Sequence, residues 1–327
     1  MFISMKPTVR FFQPHDNVSI LMRTFSVLIL FILTIQVSKA AELDYNLIAE
    51  PVVEGTYVFV GSTKYFSKQN GGNIVNTAYI VTNAGVVVID TGPSYRYGKQ
   101  MRDYIESTTG LSIIKVFITH HHPDHFLGNQ AFNDVPIASL SGVINGIKLQ
   151  GNAFTDNLYA LIGDWMKETE AYIPTEVIVP GKFSIGGHEI EIIALDGHTD
   201  SDMVIYDHTT GVLFPGDLVF HNRTPAVANA NIQHWLDSIS KLQELNYKYM
   251  VPGHGAVISD EHAMIQTRDY LSWLHKHLQN ALDRGLAMSE ALTLELPASF
   301  QSLDILHEEY KRAVLQLYPD MEQNYFN

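Results

Sequence analysis

The residues best able to do chemistry are concentrated in Thr119-His120-His121-His122-Pro123-Asp124-His125, a His-x-His-x-Asp-His pattern at the end of an apolar run predicted to be a buried strand over 115–120. In extended backbone, residues two apart point the same way. His120 and His122 can therefore present imidazoles to one cation while His121 points elsewhere. Pro123 then turns the chain, which lets Asp124 and His125 face a second cation. Three more residues of metal-ligand type stand at three more predicted strand ends, each beside a glycine that permits a tight turn: His198 in Gly197-His198-Thr199-Asp200, Asp217 in Phe214-Pro215-Gly216-Asp217, and His254 in Pro252-Gly253-His254-Gly255. Any one of them alone is an ordinary buried histidine or turn aspartate. Together they point to a two-cation site, and imidazole and carboxylate donors without thiolate suit zinc, with iron and manganese also compatible. Such a pair of cations lowers the pKa of a bound water from about 15.7 toward roughly 7, making a hydroxide nucleophile.

Alternating strands and helices must position these side chains, so the fold class is α/β. Strands are predicted over 56–60, 74–82, 86–89 and 115–120, the third ending at Asp90 in the turn Asp90-Thr91-Gly92-Pro93. A helix is predicted over 96–108, and mostly helix between 126 and 183, including 156–171. Strands return at 189–195, 203–206, 212–214 and 249–251, with a helix over 233–244. After His254 the pattern is helical only: one helix from a cap at Ser259 or Asp260 to about Leu282, then shorter ones over 288–294 and 304–317. Tyr65, Phe66 and the Gly71-Gly72 pair read as a flap over the metals or as a plain surface hairpin. His221, Asn222 and Arg223 follow Asp217 closely and are candidate substrate contacts.

The chain has 327 residues, 46% of them apolar and 17% charged, enough to bury a large core. Arg23, the apolar run over 25–35, and small residues at Ser38 and Ala40 have the grammar of a signal peptide cleaved after Ala40, with Met22 a candidate start. The expected organisation is a signal peptide over 1–40, a catalytic domain over 41–259 and a helical extension over 260–327 packed on it. Periplasmic or secreted location follows, without stable membrane insertion after cleavage. Losing residues 1–40 takes the net charge from −14 to −17. So acidic a surface repels phosphate backbones and anionic lipid, which argues against nucleic-acid partners and for a small-molecule substrate. The absence of cysteine excludes disulfides and thiolate ligands.

In the order of these motifs, residues 56–259 resemble the metallo-β-lactamase superfamily. The resemblance implies an αββα sandwich, two mixed β-sheets between helical layers. It implies one zinc on His120, His122 and His198, a second on Asp124, His125 and His254, and Asp217 as the bridging carboxylate. Asp124 would orient the attacking hydroxide, and Asp90 would hydrogen-bond ligands or their loop without ligating. The activity implied is hydrolysis of an ester, thioester, lactone or amide by a binuclear metallohydrolase.

Departures narrow the choice. The β-lactamases nearest in layout carry cysteine at the position of Asp217 and often lysine where this chain has Phe220, which disfavours antibiotic hydrolysis as the main activity. The basic tail of hydroxyacylglutathione hydrolases has no counterpart. Gly71-Gly72-Asn73-Ile74, His125-Phe126-Leu127-Gly128-Asn129, Arg223-Thr224-Pro225 and Leu317-Tyr318-Pro319 resemble the zinc metallohydrolases of the quinoprotein relay system, relatives of a thiosulfate-oxidation protein. That likeness implies a link to periplasmic quinoprotein dehydrogenases. β-Lactamase-like activity, a mononuclear iron persulfide dioxygenase and a non-catalytic accessory protein are the competing readings.

Overall fold

A computed structural model describes residues 7–11 and 43–326; the leader segment over 22–40 lies outside the described residues. The chain divides into two compact units, Met1–Asp44 and Tyr45–Asn327, and the second carries every strand and helix named below.

Apolar runs build two mixed sheets. The first orders β1 (Glu50–Val53), β2 (Thr56–Phe59), β3 (Thr77–Thr82), β4 (Gly85–Ile89), β5 (Ile113–Phe117), β6 (Ile137–Ser139) and β7 (Glu176–Val177). Its first four strands form an antiparallel meander and the remainder run parallel from β4. The second sheet orders β12 (Tyr249–His254), β11 (Val212–Phe220), β10 (Asp202–Asp207), β9 (His188–Leu195) and β8 (Gly181–Ile185), with β11 and β12 its parallel pair. Every residue of β4, β10 and β11 is buried, the mark of strands covered on both faces. The cover is helical: α1 (Tyr95–Thr109), the single turn α2 (Pro123–Phe126), α3 (Ser141–Ile162), α4 (Ile232–Gln243), α5 (His262–Asp283), α6 (Met288–Ala291) and α7 (Leu306–Phe326). The result is the expected α/β sandwich. Among the described residues, no helix is long and apolar enough to cross a membrane.

Several boundaries differ from the sequence reading for identifiable reasons. The strand predicted over 115–120 ends at Phe117 because the Thr119 amide leaves the sheet to donate to Asp90 Oδ1 at 2.8 Å. The Thr119 carbonyl accepts from Met203 of β10, so this residue ties one sheet to the other. Asn76 does the same at the neighbouring strand end: its amide donates to Gly253 O, its Nδ2 to Pro252 O and Gly255 O, and its Oδ1 accepts from Gly61 N. Pro215-Gly216 reads as a turn, yet β11 runs on through register shifts to Phe220, so Asp217 lies inside a strand and not beyond its end. The helix predicted over 156–171 overlaps only the last turns of α3, which begins at Ser141 and ends at Ile162; a short 3-10 turn follows over Gly163–Met166, and residues 167–171 are not helical. Gly142, Gly146 and Gly151 weaken the first half of α3 as a helix signal. They are there because α3 runs against Ser201, the His121 ring and Ala171, where a β-carbon would meet atoms at 2.5 to 2.8 Å.

The helices after His254 pack onto the second sheet. Tyr270, Leu271, Leu274 and Leu278 of α5 and Tyr310, Val314 and Tyr318 of α7 share a buried cluster with Val204, Leu213, Phe220 and Trp235. Asp304, just before α7, binds the side chains of Thr63 and Lys64, while its backbone bonds Asn222 and Thr224. One residue thus joins the tail, the loop over 61–72 and the segment after Asp217.

Gly128 offers a test of this packing. A β-carbon there would lie 2.0 Å from the Thr91 carbonyl oxygen, which is backbone and cannot swing aside. Gly128→Ala is expected to cost about 1–3 kcal/mol in urea unfolding, as overpacking does. Gly110→Ala, at φ 68° with no atom within 4 Å of the new methyl, is expected to cost only about 1 kcal/mol.

Candidate metal centre

The loop after β5, the β9–β10 loop, β11 and the end of β12 bring seven side chains to one end of the two sheets. They form two groups. His120, His122, His198 and Asp217 each offer an atom within 4.8 Å of the others, and so do Asp124, His125 and His254. Asp217 stands between the groups: its Oδ2 is 3.4 Å from His198 Nε2 and 3.8 Å from His120 Nε2, and its Oδ1 is 3.1 Å from His125 Nε2. His254 Nε2 lies 3.1 Å from Asp217 Oδ2 and 3.5 Å from Asp124 Oδ2. All seven are buried.

The outward nitrogen of most of these rings is held by protein, which fixes which nitrogen faces inward. His125 Nδ1 lies 2.7 Å from Asp90 Oδ2, and Asp90 also accepts from the amide and hydroxyl of Thr119. His254 Nδ1 donates to Ile74 O at 2.6 Å. His120 Nδ1 meets Thr119 Oγ1 at 3.0 Å. His122 is reversed: its Nε2 reaches Asn229 Oδ1 at 3.0 Å, and its Nδ1 faces His198 Nε2 at 2.8 Å. The His198 loop is ordered by Asp202, which accepts from the amides of His198 and Thr199 and from the Thr199 hydroxyl. Burial pushes the Asp202 carboxyl up to about 7.

These residues fit cations. His120 Nε2, His125 Nε2 and Asp217 Oδ1 are buried without a hydrogen-bond partner in the protein, and all three face the centre. Unpaired buried polar atoms are costly unless something binds them. Burial holds His120 and His198 well below the usual histidine range and lowers His122, so these rings are neutral and ligand-competent. Burial opposes charge on His125 too, yet the carboxylates of Asp217, Asp90 and Asp124 lift it well above the usual range. Against burial, His254 and His125 hold Asp217 well below the ordinary carboxyl range. The carboxylates around His125 thus favour positive charge at this end of the cluster, as a bound cation would provide.

A cavity of about 110 Å³ opens onto the cluster. Its apolar walls include Tyr65, Phe66, Ile74, Phe154, Leu158 and Leu161, and the polar groups beyond the cluster itself are Asn157, Arg223, Asn229, Glu309 and Arg312. His121 points away, packed on Phe154 and against Gly146 of α3, as the alternation of extended backbone requires. Of the three residues singled out after Asp217, Arg223 reaches the cavity; His221 and Asn222 do not. The His221 ring turns to Ala256 O, and the Asn222 amide bonds Gln266 on α5.

Sequence reasoning missed Asn76, Thr119, Asp202, Asn229, Glu309 and Arg312. Two carried a signal: Asn76 interrupts an apolar strand pattern, and Glu309 falls three residues after Leu306 on the apolar stripe of α7. Asn229 lies in a loop with no local pattern.

The comparisons with known proteins agree with this geometry. The family model described as the metallo-β-lactamase superfamily matches residues 70–254. The metallo-β-lactamase IND-1 of Chryseobacterium indologenes is 27% identical over 257 residues, covering 76% of this chain and 92% of that protein. The atrochrysone carboxyl ACP thioesterase AacuM of Aspergillus aculeatus is 26% identical over 204 residues, covering 61% of this chain and 57% of its own length. Among solved structures, a metallo-β-lactamase from Pontibacter korlensis superposes with a TM-score of 0.56 at 22% identity over 69% of this chain and 99% of its own, which shows the shared fold. The family match spans the loop that carries His120 to His125 as well as His198, Asp217 and His254: the chain belongs to the metallo-β-lactamase superfamily of hydrolases, with a His/Asp metal-binding cluster.

Proposed function

We propose that the protein is a binuclear zinc hydrolase that adds water to the acyl carbon of a small ester, thioester, lactone or amide and breaks its bond to the leaving oxygen, sulfur or nitrogen. The observation that carries this reading is the position of Asp217, one carboxylate facing two groups of inward-pointing ligand atoms. His120, His122 and His198 would hold one zinc, Asp124, His125 and His254 the other, and Asp217 both. Zinc in such a site supplies Lewis acidity, ionising water near neutral pH and polarising a carbonyl.

The chain's own residues do the rest. Asp90, Thr119, Ile74 and Asn229 fix the rings, so no reorientation is needed when charge develops. Asp124 lines the cavity and can accept a hydrogen bond from the attacking water, fixing its lone pair toward the carbonyl. Phe66, Phe154 and Leu158 exclude bulk water from the acyl group. Relatives named both as β-lactamases and as an acyl-carrier thioesterase support acyl transfer to water as the reaction type. Phe220 supports a substrate other than a β-lactam. Fully buried and stacked on the His254 ring at 5.0 Å, it offers no cation. The leader motif supports export, and the segments around Gly71, Phe126, Arg223 and Tyr318 support a role beside quinoprotein alcohol oxidation.

Asp217→Ala is expected to abolish turnover on a panel of esters, thioesters, lactones and β-lactams and to reduce bound zinc from about two equivalents to one or fewer by mass spectrometry. His121→Ala is expected to keep its zinc and most of its activity; equal loss in both variants would reject the assignment. Asn229→Leu removes the group that orients His122, and zinc affinity measured against a chromophoric chelator is expected to fall about 10- to 100-fold. Unchanged affinity would mean that His122 needs no such partner.

A further inference from the structure

The polar end of the cavity is built by the C-terminal helix and is not part of the metal chemistry. Glu309 and Arg312 both come from α7, and Arg223 comes from the segment that Asp304 ties to that helix. Arg223 is 3% exposed, and its Nε has no hydrogen-bond partner. Its Nη1 lies 3.0 Å from His254 Nδ1, but that nitrogen spends its proton on Ile74 O, so two donors face each other and the contact is packing. A buried guanidinium whose Nε lacks an acceptor is an expensive group to keep.

Arg312 is placed differently. It gives one N–H to Glu309 Oε1 at 3.0 Å and lies over the Tyr65 ring at 5.2 Å, with a side chain 36% exposed. Its side chain lines the cavity and is the more exposed of the two arginines. Glu309 is 2% exposed and feels both guanidiniums. Outside the metal cluster, whose Asp124 and Asp217 also line the cavity, two cations stand against one carboxylate and leave one positive charge in excess, beside nine apolar or aromatic side chains, in a chain whose net charge is −14.

Resting on the hydrolase reading above, we propose that Arg312, with Arg223 behind it, is the specificity-determining anion clamp of this cavity, and that the substrate is a short acyl compound carrying its own free carboxylate. The guanidinium fork matches a planar carboxylate in two parallel hydrogen bonds. A single excess charge matches a monoanionic group, and a cavity of about 110 Å³ holds a chain of only a few carbons beside it. The clamp anchors the end of the substrate remote from the reacting carbonyl, and Glu309 holds Arg312 in position.

The test uses the zinc-loaded full chain, Arg312→Met, Arg312→Lys and, as a charge control on the same helix, the exposed Lys311→Met. Succinate and butyrate binding are measured by calorimetry, and hydrolysis is measured on the mono-4-nitrophenyl ester of succinate against 4-nitrophenyl butyrate. In the wild type, succinate is expected to bind at least tenfold more tightly than butyrate, and the succinate ester to be preferred at least tenfold in kcat/KM. Arg312→Met is expected to lose that preference through KM, Arg312→Lys to keep part of it, and Lys311→Met to keep it all. Equal binding of the two acids by the wild type, or a preference that survives in Arg312→Met, overturns the clamp while leaving the hydrolase reading standing. If neither ester is cleaved, the hydrolase reading fails on these substrates, and the binding comparison alone decides the clamp by the same criteria.

Discussion

Five imidazoles and two carboxylates buried at one end of a sandwich have to be held against both rotation and mutual repulsion, and the fork on Asp90 is where that constraint is met. Its carboxylate takes the Thr119 amide on one oxygen and the Thr119 hydroxyl and His125 Nδ1 on the other. The end of β5, the start of the histidine loop and one ring of the cluster are thereby placed by a single group. The residue itself sits at φ 57°, a left-handed conformation uncommon for aspartate, which aims the fork across the strand end. Removing it would leave His125 untethered and two buried Thr119 donors without acceptors.

The same end of the molecule shows how tightly sheet and site are combined. Asn76 spans both sheets through the turn that presents His254, and Gly253 in that turn lies so near Asp217 that a β-carbon would be 1.9 Å from its Oδ1. Glycine is required there for closeness, and not for an unusual backbone angle. The rigidity of the cluster is therefore a property of the strand ends themselves, with the covering helices acting as support.

Much of this was legible beforehand, for physical reasons. His-x-His-x-Asp-His after an apolar run carries its own geometry, since extended backbone alternates and proline turns, and the structure does send His121 away from His120 and His122. Asp90, His198 and His254 are separated by many residues in the chain, but each stands at a strand end or beside a glycine that can be recognised locally, and Asp217 follows a glycine within β11. What was hidden depends on tertiary contact. Asn229 meets His122 across more than a hundred residues of sequence, and no pattern around it announces this. The start of α3 was hidden because its glycines serve close packing against Ser201 and His121, a purpose that local propensity reads as disorder of the helix. Pro215-Gly216 misled in the opposite sense: a turn signal that the parallel pairing of β11 with β12 overrides.

The tie made by Asp304 has a wider meaning. Every atom of the metal cluster is encoded between positions 120 and 254, whereas the charged wall of the cavity comes largely from positions 309 and 312. Reaction and selection are thus written in separate stretches of the chain, fastened to one another by Asp304 and by the buried face of α7. A lineage could recast α7, and with it the choice of substrate, while leaving the strands that perform the chemistry untouched.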